Sequence, residues 1–142
     1  MRIILLLLSF FISEFISAQY NDSIIQVENG VTVTASNAEC SMKNGFDEDR
    51  ILLTFKNENN TQVTITWSAK MWYDNQCLTC NDQSGEYDFT LTLEANETIS
   101  GTCAQGEGKK LQLFHRFNDE NTDIDTELTK FKLDNFTVSV DH

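Results

Sequence analysis

Along most of this chain apolar and polar residues alternate one for one, and that period of two commits it to β-strands. Val31, Val33 and Ala35 alternate with Thr32 and Thr34. Ile51, Leu53 and Phe55 share one face, with Thr54 and Lys56 on the other. Val63, Ile65, Trp67, Ala69 and Met71 alternate with Thr64, Thr66, Ser68 and Lys70. Tyr87, Phe89, Leu91 and Leu93 alternate with Asp88, Thr90, Thr92 and Glu94, and Leu111, Leu113, His115 and Phe117 again share a face. On a helix these apolar residues would scatter around the axis; on a strand they line one side. β-Branched and aromatic residues dominate the runs, as a pleated, half-buried surface requires. No segment shows a sustained helical period.

Two further segments complete the set. Residues 98–103 form a short fifth strand and residues 130–140 a long last one. The last changes parity: Phe131 and Leu133 are in phase, then Phe136, Val138 and Val140 take over. One extra residue near Asp134 and Asn135 restores the face, so a β-bulge is expected there. The expected fold is all-β: a seven-stranded antiparallel β-sandwich, immunoglobulin-like or similar, with Trp67 in its core and disulfides at one end.

The first residues read as an export signal. Arg2 supplies a positive start, residues 3–12 are almost unbroken apolar, and Ser17 and Ala18 are small residues before Gln19. The apolar run is about half of the ~20 residues a spanning helix needs. Residues 1–18 are therefore expected to be a removed signal peptide and residues 19–142 a single domain, secreted or periplasmic, with no membrane insertion after cleavage. The chain carries a formal net charge of −12 at pH 7. A field of that sign repels nucleic acid and anionic membranes and keeps an exported protein soluble.

Four cysteines in an exported chain fit two disulfides. If every strand reverses direction after its connection, Cys40, Cys77, Cys80 and Cys103 all fall at one end. A hairpin around Ala95 and Asn96 sets Cys103 beyond residues 86–88, near the segment after Cys80. That register favours Cys80–Cys103 with Cys40–Cys77; the competing set is Cys77–Cys80 with Cys40–Cys103. A redox role for Cys77-Leu-Thr-Cys80 needs a helix after the first cysteine, whereas Asn-Asp-Gln-Ser-Gly reads as loop. A four-thiolate zinc site is disfavoured because the spacing is not that of paired CxxC knuckles.

Other chemistry is sparse. Asp119, Asn121, Asp123 and Asp125 place alternate oxygens in an acidic run, a weak calcium motif that lacks the EF-hand glycine and terminal glutamate, since Ile124 and Lys130 stand there. The strand count sets this run opposite the cysteines. A second acidic group, Asp47, Glu48 and Asp49, reads as solvated loop. His115 is in phase with core residues and reads as a partly buried, hydrogen-bonded histidine rather than a base or ligand. No nucleophile elbow, metalloprotease helix or phosphate loop is present, and no cofactor is implied. Trp72 and Tyr73 end the third strand beside the cysteine loop, and Phe46 lies at the same end. These three are the expected binding residues of a non-catalytic module for a protein or glycan ligand. A calcium-stabilised envelope component is the alternative, and an enzyme the less favoured third. The export reading predicts a mature protein whose intact mass begins at Gln19; a secreted product that retains residues 1–18 contradicts it.

Overall fold

The computed structural model describes residues 20–41, 47–104, 109–118 and 124–140. These residues form nine strands and no helix: β1 (Ser23–Glu28), β2 (Val31–Cys40), β3 (Glu48–Asn57), β4 (Val63–Tyr73), β5 (Gln76–Cys77), β6 (Asp88–Leu93), β7 (Thr98–Ser100), β8 (Gln112–Phe117) and β9 (Leu128–Val140). All pairings are antiparallel and make two sheets. In the first, β1, β2 and β3 run side by side, and β7 and β8 lie end to end along the far edge of β3. In the second, β9 pairs with nearly the whole of β4, and β6 and β5 lie end to end along its other edge. Each sheet thus has a long central strand, a long neighbour on one side and a broken edge on the other.

The inward faces are the ones the alternation marks. Val31, Val33, Ile51, Leu53, Phe55, Val63, Ile65 and Trp67 are all buried in a core shared by both sheets. Phe55 of the first sheet meets Trp67 of the second at 4.8 Å between ring centroids, and Trp67 meets Phe89 at 5.6 Å. Each fully buried side chain of this size contributes about 1.5–3 kcal/mol. The bulge in the last strand is present: Thr66 faces Thr137 while Ser68 faces Asp134, so Asn135 and Phe136 together oppose Trp67. Asn135 takes the left-handed conformation (φ 50°), which returns Phe136 and Val138 to the core side.

The strand count is nine rather than the expected seven. β1 escapes a period-two reading because a bulge between Ile24 and Gln26 breaks its alternation. Its turn into β2 is Asn29-Gly30, both left-handed (φ 44° and 75°), the two-residue hairpin that matches strand twist. β5 is two residues long and carries no period at all.

Two expectations are corrected, one about pairing and one about direction. First, β6 and β7 are not a hairpin; β6 belongs to the second sheet and β7 to the first. Second, β7 and β8 run the same way along β3. The chain leaves the sheet after Ser100, makes an excursion and resumes at Gln112. The neck of the excursion is pinned by Leu53: its carbonyl accepts from Gly101 N and its N donates to Leu111 O, both at 2.9 Å. A Cβ at position 101 would collide with the Leu111 carbonyl, so glycine is required there.

The opposite end is knotted by Asn57, which is fully buried. Its amide donates to Thr61 O (2.9 Å) and Glu94 O (2.8 Å), and its oxygen accepts from the backbone and side-chain nitrogens of Asn59. One side chain therefore joins the β3–β4 turn to the β6–β7 connection. Because truncation strands these buried partners, Asn57→Ala is expected to lower unfolding free energy by about 2–4 kcal/mol without changing the fold. Denaturant unfolding with an unchanged m-value checks this, and a loss under 0.5 kcal/mol refutes it.

Candidate functional site

The end of the molecule opposite Asn57 carries both disulfides. Cys40 ends β2 and bonds Cys103 in the excursion; Cys77 bonds Cys80 directly after β4. The favoured pairing of Cys40 with Cys77 and Cys80 with Cys103 is therefore wrong, and the competing set is present. The error follows from the hairpin register: with β7 in the other sheet, Cys103 never faces the segment after Cys80. Its Cα lies 5.4 Å from that of Cys40, within bridging distance.

The Cys77–Cys80 turn has a backbone task. β6 stops opposite Ser68 and β5 starts opposite Trp72, so this edge of β4 lacks a strand partner between them, while β9 pairs the other edge. The turn folds Thr79 into this gap, where it is buried. Its hydroxyl donates to Ala69 O (2.8 Å) and accepts from Met71 N (2.9 Å). Leu78 N reaches Met71 O and Tyr87 O takes Ala69 N. The CxxC spacing here serves a sheet edge.

The direction of β8 also differs from the expectation. Because β8 continues in the direction of β7, it ends at the disulfide pole, with Phe117 opposite Glu48. The stretch that follows β8 accordingly departs from this pole, not from the opposite end. Asn118 N donates to Asp47 O (2.8 Å), and Asp74 and Glu127 exchange bonds through Asp74 N to Glu127 O (3.0 Å) and Glu127 N to Asp74 Oδ1 (3.2 Å). Nor are all of Asp47, Glu48 and Asp49 solvated loop. Glu48 and Asp49 begin β3 and are 8% exposed. Asp49 accepts from Arg116 Nε (2.8 Å) and Asn118 Nδ2 (3.0 Å), one on each carboxylate oxygen. That contact raises the affinity of the guanidinium for its proton. Arg50 bridges Glu48 and Gln112.

Asn37 and Glu39 from β2, Asp49 from β3, and His115 and Arg116 from β8 line one open cleft of about 470 Å3, with Asn21 at its rim. Three adjacent strands place them, and a bulge in β8 admits His115 as the extra residue between Phe114 and Arg116. His115 is 3% exposed; its Nε2 lies 3.2 Å from Glu127 Oε1, and its buried Nδ1 has no hydrogen-bond partner among the described residues. The expected hydrogen-bonded core histidine is thus half satisfied. Parity was a legible sign of the inward side for Asp49, in phase with Ile51, and for Asn37 and Glu39, in phase with Val31, Val33 and Ala35; Arg116 carries no such sign, because the bulge in β8 sets it opposite Asp49.

A second pocket, about 190 Å3, opens between the two broken edges. Ala69 and Met71 form one wall where β4 lacks a strand, and Leu113 forms the other. Tyr73, Tyr87, Phe89 and Phe114 supply aromatic surface. Tyr73 donates its hydroxyl to Phe114 O (2.8 Å), and burial, with Tyr87 nearby, pushes its phenol up to about 12. Trp72 and Tyr73 are thus not a paired platform: successive strand residues face opposite ways. Trp72 lies on the outer face, partly exposed, with Lys130 Nζ 4.7 Å from its ring centroid.

Phe46, Asp119, Asn121 and Asp123 lie outside the described residues; Asp125 is exposed. Among the described residues no group of three or more His, Cys, Asp or Glu is arranged to hold a metal ion, and no helix is long and apolar enough to cross a membrane. The two disulfides fit an oxidising compartment. Compared with protein-family models, curated proteins and solved structures, the chain matches none. The site is therefore read from its own residues.

The two bridges differ in leverage. Cys40–Cys103 spans a sequence separation of 63 and Cys77–Cys80 one of 3. Loop-closure entropy assigns about 4 kcal/mol to the first and about 2 kcal/mol to the second. Paired Cys→Ala variants should show that order in denaturant unfolding, and non-reducing peptide mapping should recover a self-linked Cys77–Cys80 peptide. Equal losses, or a linked Cys40–Cys77 peptide, contradict the assignment.

Proposed function

We propose that this protein is an exported, non-catalytic β-sandwich module, immunoglobulin-like in its layout, that binds a hydroxyl-rich glycan in the polar cleft at its disulfide pole. The observation that carries this reading is the convergence of Asn37, Glu39, Asp49, His115 and Arg116 on one cleft from three paired strands. A sugar hydroxyl both donates and accepts, and this lining offers both: guanidinium and amide donors beside carboxylate, amide and imidazole acceptors. Strands hold the side chains rigidly, and Cys40–Cys103 ties the rim, so little order is lost on binding.

Binding rather than turnover is supported by what lines the cleft. Among the described residues the lining includes no Ser, Thr or Cys to act as nucleophile. Both oxygens of Asp49 are already engaged by Arg116 and Asn118. Glu39 is then the remaining carboxylate among the described lining residues, so the cleft lacks the two free carboxyl groups that glycoside hydrolysis uses.

A protein ligand is the second reading, favoured by Leu78. This leucine is 66% exposed at the tip of the turn closed by Cys77–Cys80, a rigid apolar knob of the kind that anchors an interface.

Glycan-array binding separates these. Glu39→Ala and Asn37→Ala remove cleft groups at partly or fully exposed positions, so each should weaken a bound glycan by about tenfold with little change in melting temperature. Trp72→Ala on the outer face should leave binding intact. Loss with Trp72→Ala alone moves the site to the outer face, and an array with no bound glycan removes the glycan reading.

A further inference from the structure

The pocket between the broken edges is a separate site, and its chemistry points to a different ligand. We propose that it binds a methylated ammonium group, the headgroup class of choline and related quaternary amines. The inference rests on three features and is independent of the polar cleft.

The first is the wall. Tyr73, Tyr87, Phe89 and Phe114 all line a space of about 190 Å3. An apolar cavity of about 150 Å3 admits one benzene molecule, so this space holds a single trimethylammonium group. Aromatic faces carry negative potential and attract cations whose own hydration shell is weak.

The second is an ammonium already at the mouth. Lys109 Nζ lies 5.6 Å from the Tyr87 ring centroid and is bonded to Glu86. The mouth therefore combines an aromatic face with a carboxylate and holds an organic cation from the chain itself. Both groups are exposed, so this ion pair is easily exchanged. A ligand cation that displaces Lys109 inherits Glu86 and gains the aromatic surface deeper in.

The third is the field. The chain's formal net charge of −12 raises the local concentration of cations and lowers that of anions. A carboxylate ligand seeking Lys109 would meet both that field and Glu86.

The test compares choline with 3,3-dimethyl-1-butanol, its uncharged isostere, by calorimetric titration of the whole mature protein. Choline should bind, and the isostere should bind roughly tenfold more weakly or not at all. Lys109→Gln removes the internal competitor and should tighten choline severalfold. Glu86→Gln should weaken it. Ala69→Leu fills the pocket and should abolish binding; a melting temperature held or raised in that variant shows that it folds. Co-sedimentation with phosphatidylcholine but not phosphatidylglycerol vesicles assigns a lipid headgroup, and its absence beside choline binding assigns a free ligand. Equal binding of choline and its isostere overturns the proposal. So does no binding of choline to either wild type or Lys109→Gln, or a preference for 3,3-dimethylbutanoate that Lys109→Gln removes. Glycan binding in the cleft should be unchanged in all three variants, so failure here leaves the glycan reading untouched.

Discussion

The contact between Phe55 and Trp67 holds the two sheets together, and the rest of the architecture is arranged around it. Phe55 is on β3 and Trp67 on β4, the central strands of the two sheets. Burial of these faces is the main favourable term in folding, and it fixes which face of each strand points inward. The register of every neighbour follows, because a slip of one residue would turn the whole apolar set to solvent. The bulge at Asn135 is a consequence. β9 stays paired with β4 past Trp67 only by inserting a residue, which keeps Phe136 and Val138 on the core side.

What distinguishes this frame is that each central strand has one broken edge. On β3 the break lies between β7 and β8, and on β4 between β6 and β5. Breaks expose backbone groups that must be satisfied. The chain answers with local devices: Gly101 and Leu111 clasp Leu53 on one sheet, and Thr79 stands in for a strand on the other. The two disulfides sit beside these repairs. The same breaks leave room, and the aromatic pocket is the space between them. The polar cleft lies farther along β8, where a bulge at His115 sets Arg116 opposite Asp49.

Asparagine does much of the turning that glycine does elsewhere. The chain has 6 glycines and no proline. Asn29, Asn75, Asn96 and Asn135 all adopt positive φ. Asparagine tolerates the left-handed region because its short polar side chain bonds locally. Turn positions were legible on that account, yet Asn29-Gly30 marks a hairpin whose first strand is hidden by the bulge between Ile24 and Gln26. Asn57 shows the converse: its phase with Ile51, Leu53 and Phe55 points it inward, but only the fold supplies the carbonyls of Thr61 and Glu94 that make burial tolerable.

The sequence by itself determined the local structure: strands with known inward faces, a bulge in the last of them, and cysteines gathered at one pole. It did so because side-chain period and burial are coupled within a few residues. The tertiary structure alone decided which sheet each strand joined, and with it the cysteine partners and the pole at which β8 ends. The physical reason lies in one connection. A strand that resumes its direction after an excursion has the same alternation as one that reverses, so β7 and β8 look like successive antiparallel strands in the sequence. In the fold they are one interrupted edge of β3. That single difference carries the end of β8 to the disulfide pole, where Asp49, His115 and Arg116 form the cleft.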